Sequence, residues 1–180
     1  MPLRAAAISA TFSLAAVGLA AAATSLAAPS PKPQALVLAT APAGFSLTEE
    51  DHAVTDADVA KDGHVALATV RRWGRLGGYR VEFVRNDDRV RSTAAVYTSA
   101  AGAQSALRAE SADASRGLDE ARRPPVSLGQ QTVYYALKSE SALAWRDRSV
   151  IAVLYSRGIS VDALVKLARV QEARIQRAFR

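Results

Sequence analysis

The stretch "RRWGRLGGYR", which starts at Arg71, is the densest collection of side chains in this 180-residue chain with which chemistry could be done. Guanidinium forks clasp phosphate or carboxylate with paired hydrogen bonds, and an aromatic ring beside them can stack on a sugar or a cation. Arg71, Arg72 and Arg75 with Trp73 are therefore the candidate anion-binding set. The competing reading puts Trp73 and Tyr79 into a core while the arginines hydrate a loop, and it is the preferred one because arginine is rarely buried without a partner. A second basic stretch, "RVEFVRNDDRVRSTAAVY" from Arg80 to Tyr97, alternates charge with apolar residues. That alternation is how a half-buried sheet keeps one face wet, so a solvated face is expected there in preference to an anion site.

Catalytic chemistry finds little to work with. His52 and His64 are the only histidines, so a histidine general base must be one of these two, each in an acidic segment. There is no G-x-S-x-G elbow, no H-E-x-x-H helix and no phosphate-cradling glycine loop. "DADVAKDGH" suggests a calcium loop through Asp56, Asp58, Asp62 and Gly63. It fails because Lys61 stands where the loop needs glycine and Leu67 where it needs a bidentate glutamate. With no cysteine in the chain, disulfides, thiolate nucleophiles and thiolate metal sites are excluded. No metal site and no cofactor is expected. An apolar ligand is the other possibility: Tyr134, Tyr135 and Trp145 could line a pocket, although aromatics on strands more often pack in a core.

The elements that would position these residues repeat. Tyr79, Val81 and Phe83 alternate with Arg80 and Glu82, the period of a strand. Asn86-Asp87-Asp88 is a turn, a strand returns from Arg89 to Tyr97, and Ser99 caps a helix carrying Ala103 and Leu107 on one face. In the second copy Leu143 and Trp145 lead to a turn at Asp147-Arg148. "SVIAVLYS" returns, apolar on both faces and so central, and Ser160 caps a final helix. Phe83 to Ser99 is sixteen residues and Trp145 to Ser160 is fifteen. On the last helix Leu164, Leu167, Ala168, Gln171 and Ile175 form one stripe, with Arg169, Glu172 and Gln176 expected on the other side. An extra strand runs from Thr132 to Leu137, and Thr55 caps a short helix from Asp56 to Lys61 that ends at Gly63. The fold class predicted is α+β: an antiparallel sheet of about five strands with two principal helices, built from a doubled strand-turn-strand-helix unit.

"GYRVEFVRNDDRVRSTAAVYTSAAGAQSAL" and "ALAWRDRSVIAVLYSRGISVDAL", read as two such units, resemble the PsbP/Mog1-like fold, including secreted actinobacterial proteins of the LpqN type. The resemblance spans about Gly44 to Phe179 and rests on element order. It implies a binding or assembly factor rather than an enzyme. Those lipoproteins carry a lipidation cysteine that this chain lacks.

Domain organisation follows from composition. Arg4 precedes an uncharged run from Ala5 to Ala23 and small residues at Ser25 and Ala27, the plan of a secretory signal peptide over residues 1–27. If it is not cleaved, the same run is an N-terminal membrane anchor. Residues 28–43 hold four prolines and are expected to be a linker. Residues 44–180 form a single domain, within the common size range. Arginine outnumbers lysine 19 to 4 in an alanine-rich chain, a bias that resembles a GC-rich bacterial genome. The net charge of +6 favours acidic partners: an anionic envelope polymer, lipid headgroups or an envelope protein. Nucleic acid is disfavoured for an exported domain. The function expected is an exported, non-catalytic binding or interaction domain of the bacterial cell envelope. A small-ligand carrier with an apolar pocket is the alternative, and a small enzyme stands third.

Overall fold

The computed structural model of the chain describes residues 30–63, 65–117, 123–136 and 139–180. The proposed signal segment and His64 lie outside them.

Alternation in the two hairpins resolves into one antiparallel sheet. Strand β1 spans Ser46–Leu47, β2 His52–Val54, β3 Arg75–Arg85, β4 Asp88–Tyr97, β5 Gln131–Ala136, β6 Glu140–Asp147 and β7 Val150–Arg157. The order across the sheet is β1-β3-β4-β7-β6-β5, with β2 also pairing β3. Among the described residues the sheet thus has seven strands where about five are legible in the pattern. β1 and β2 are two and three residues long, too short for an alternation to register. The returning strands of the two hairpins, β4 and β7, meet at the centre from Arg89↔Arg157 to Val96↔Val150. Both hairpin turns use a left-handed residue, Asn86 at φ 53° and Arg148 at φ 54°.

Helix α1 covers Asp56–Asp62, α2 Leu67–Arg72, α3 Ala100–Gly117 and α4 Val161–Arg177. Thr55 caps α1 in a reciprocal box: its hydroxyl accepts from the Asp58 amide, and the Asp58 carboxylate accepts from the Thr55 amide at 2.8 Å. Ser99 and Ser160 accept from the first-turn amides of Gly102 and Ala163, so both long helices begin where the serines predict.

The two units repeat in order but not in packing. Val81, Phe83, Leu143, Trp145, Val150, Ala152 and Leu154 face one side of the sheet, where Leu164, Ala168 and Ile175 of α4 close the main core. Tyr97, Ala144 and Ile151 face the other side and take Ala103, Ala106 and Leu107 of α3. The helices therefore lie on opposite faces, giving three layers.

The segment expected to be a linker does not run free over the surface. Pro33–Leu36 forms a 3-10 turn, and Leu36, Val37 and Leu38 are buried in the main core. The Leu38 amide donates to Ser92 Oγ at 3.0 Å, and Ser92 donates to Gln171 Oε1 at 2.9 Å. Gln171 Nε2 in turn reaches the Thr93 carbonyl at 3.1 Å. Proline excludes a long helix or a central strand, but it does not stop a short apolar triad from docking.

Glu172 also departs from its expected place on the wet side of α4. It is buried, with Oε2 accepting from Trp145 Nε1 at 2.6 Å and Oε1 from the Gly129 amide at 3.1 Å and Gln176 Nε2 at 3.0 Å. Three donors satisfy a carboxylate that would otherwise be too costly to desolvate.

Candidate functional site

A short helix packed beside a glycine-punctuated strand start brings the basic stretch to the α3 side of the sheet. α2 takes up Arg71 and Arg72 in its last turn, both exposed. They sit on a helix rather than on the irregular loop that the glycines suggest. Gly74, at φ 70°, then turns the chain into β3, a backbone state that glycine adopts without strain. Trp73 is half-buried and packs on the α3-side cluster.

Arg75 turns the other way. Its side chain is 2% exposed, with Nη1 on Asp56 Oδ1 at 3.0 Å and Nη2 on the Val54 carbonyl at 2.7 Å. Gly78 makes room for it, because a Cβ there would overlap the Arg75 guanidinium. Arg75 thus ties β3 to β2 and α1. The four residues of the anion set are not brought to one surface: Arg71 and Arg72 face solvent, while Trp73 and Arg75 face a groove.

The aromatic set is also divided. Trp145 and Tyr134 are buried in the main core beneath α4, and Tyr135 is buried on the opposite face. Trp145 and Tyr134 pack against filled core, so the three do not line one pocket.

The groove itself lies between α1, Trp73 at the C-terminal end of α2, α3 and the centre of the sheet, with a volume of about 340 Å³. Its apolar walls come from Val54, Val59, Val65, Trp73, Ala106 and Ala109, and its floor from Thr93, Ala95, Ile151 and Val153. β4 and β7 are the central strands, yet Thr93, Ala95 and Val153 remain half-buried. On the opposite face of β7 Val150, Ala152, Leu154 and Ser156 are all buried. A second, shallower depression of about 450 Å³ lies between Phe45, Arg85 and the first turn of α4. Arg85 closes part of it by stacking over the Phe45 ring at 4.6 Å while pairing with Asp88.

Charge collects along one rim of the groove. Arg80 pairs with Asp62 at 3.3 Å, and Arg91 with Glu82 at 2.8 Å. Arg89 approaches the same buried Glu82 at 3.4 Å. Arg91 also lies over the Tyr155 ring at 5.8 Å. Burial first, and then the neighbouring Glu140, raises the Tyr155 phenol above its usual range. Glu140 is held below the usual carboxylate range by the hydrogen bond from Arg157, assisted by Tyr155. These alternating arginines were expected to be a solvated sheet face. Arg89 stays exposed as expected, whereas Arg80 and Arg91 are half-buried where α1 borders the face, and such an overhang is not visible in a period of two.

Asp62 and Gly63 line the groove, whereas His52, Asp56 and Asp58 lie outside its lining. His52 is on β2 with Nδ1 3.7 Å from Glu50. Asp56 and Asp58 are engaged by Arg75 and by the α1 cap. Among the described residues no three His, Asp or Glu side chains could hold a metal ion, and no helix is long and apolar enough to cross a membrane.

No family model matches the chain, and no curated protein matches it. Among solved structures it is similar to the extracellular domain of PknH from Mycobacterium tuberculosis, with a TM-score of 0.49 and 5% identity over 75% of this chain and 86% of that one. Similarity at that level assigns neither a family nor a function, and the groove stands on its own geometry.

Proposed function

We propose that this chain is an exported, non-catalytic binding domain of the bacterial cell envelope, related in architecture to PsbP/Mog1-like proteins, that holds a small, largely apolar ligand in the groove beside α3. The observation that carries the reading is the half-open centre of the sheet. Central strands are where a domain without a ligand site is best filled, yet Ala95 and Val153 border a cavity of about 340 Å³. That volume is at the lower end of the roughly 300–1,000 Å³ typical of small-molecule sites. The lining is mainly apolar with a few convergent polar groups, the composition that suits binding and orientation. Export rests on the residues 1–27 pattern alone; a chain starting near Thr24 or Ala28 in the extracellular or periplasmic fraction supports it, and an intact N-terminus there opposes it.

The test of the groove is fluorescence titration of the full chain with Nile red, a neutral apolar dye. Saturable binding is expected, and Val153→Trp should abolish it by filling the floor from a strand position that tolerates a large aromatic. Absence of binding, or unchanged binding in Val153→Trp, removes the groove as the ligand site.

A further inference from the structure

We infer that the groove selects a single-chain amphiphile with an anionic head, the head seated between Arg80 and Arg91 and the tail lying on the apolar floor; this rests on the groove being the ligand site. Pairing of Arg80↔Thr93 and Glu82↔Arg91 across β3 and β4 makes the two arginines diagonal neighbours on the same face. Their stems therefore rise roughly 7 Å apart, a separation that two guanidinium groups can bridge through one oxyanion. Both line the groove.

Their existing partners leave the rim positive. Among the described residues Arg80, Arg89 and Arg91 share only Asp62 and Glu82, and Arg75 is neutralised by Asp56. One cationic charge is left over for a head group. Asp62 is 55% exposed on its side chain, so its charge is well screened, whereas Glu82 is buried and already held by two arginines. Donor capacity points the same way. The Nε–H of Arg80 is without an acceptor among the described residues, and its side chain lines the groove. A phosphate or carboxylate oxygen is an acceptor it lacks, and such charge-assisted bonds are the stronger kind.

The tail end carries no unpaired charge among the described residues. Away from the rim the lining is mainly apolar, with Trp73, Ala95, Tyr97, Ala106 and Ile151 and with the Arg75 guanidinium already paired to Asp56, a surface that suits methylenes. Head and tail requirements are thus separated along one groove, as an amphiphile needs. A cationic amphiphile meets the wrong sign at the rim.

Competition against bound Nile red by decanoate, decyl phosphate, decanol and decyltrimethylammonium tests this on the full chain. Both anions should displace the dye at about tenfold lower concentration than decanol, the factor that one charge-assisted hydrogen bond supplies, with the cation weakest. The better of the two anions distinguishes a fatty-acid ligand from a phosphorylated one. Arg80→Gln with Arg91→Gln should erase the anion preference, so that both anions displace the dye at the concentration at which decanol does. Arg91→Gln alone, which leaves Glu82 with Arg89 and Arg80 with Asp62, should reduce the preference and serves if the double variant does not fold. Decanol competing as well as the anions overturns the head assignment and leaves the groove standing. So does an anion preference that survives both variants. Failure of Nile red itself to bind overturns both.

Discussion

Trp145 and Glu172 form the most consequential residue pair in the core. The indole is fully buried and its only polar atom donates to the carboxylate. Trp145→Ala should cost roughly 3–5 kcal/mol by leaving a large cavity, read as a fall in the denaturation midpoint at unchanged slope. Trp145→Phe keeps most of the apolar volume but removes one of three donors to Glu172, and should cost about 1–3 kcal/mol. The alternation of β6 makes the burial of Trp145 legible in the sequence. Nothing local makes Glu172 legible, since its inward position depends on an indole 27 positions away. Asp58 behaves in the opposite way, because its role is written in the spacing Thr55-x-x-Asp58. Hydrogen bonds from the Thr55 side chain and backbone hold its carboxyl below the usual range. A depressed folded value means the cap contributes fully above the unfolded pKa and is lost as pH falls through the folded one. Amide-exchange protection factors in α1, taken relative to the intrinsic rate at each pH, should therefore fall on acidification through that window, and Asp58→Asn should remove this pH dependence.

Among the elements, the Pro33–Leu38 segment contributes beyond its length. Leu36, Val37 and Leu38 each place a buried apolar side chain in the main core, worth roughly 1.5–3 kcal/mol apiece. Against a total of about 5–15 kcal/mol for a domain, deletion through Leu38 should leave the chain unfolded or nearly so at 25 °C, measured by the loss of cooperative thermal unfolding. A shorter deletion ending before Pro33 should not. Its four prolines invite reading residues 28–43 as a linker, and the apolar triad between them was the contrary signal. Gln171→Leu tests the same junction more gently. It removes the acceptor of Ser92 and the donor to the Thr93 carbonyl, with an expected loss of about 1–3 kcal/mol. α2 escaped the sequence pattern for a different reason: six residues with two terminal arginines carry too little periodicity to separate a helix from a loop.

At the scale of the whole molecule, the doubling of strand-turn-strand-helix was legible, and so was the central position of β7, because a strand apolar on both faces must be covered twice. Which face each helix covers was not. Two helices capped alike and spaced alike end on opposite sides of the sheet, and only the unequal cover they provide leaves a groove. That arrangement also sets where the molecule opens. β4 and β7 are paired on both sides, whereas β1, β2 and the α1–α2 overhang hang from β3 alone. Hydrogen exchange should be slowest in β4 and β7 and fastest among the structured parts in β2, α1 and α2. A groove ligand should slow α1 and α2 most. Uniform protection across the sheet and overhang would contradict this hierarchy.

The docking of Ala35 against Arg174, separated by 139 positions, has a consequence for how the chain is delivered. A polypeptide that emerges from its N-terminal end presents Leu36, Val37 and Leu38 first, and the helix that must receive them last. Each hairpin can zip locally as it appears, but the core cannot close until α4 has arrived. A chain cut short before α4 should therefore hold its hairpins without a closed main core.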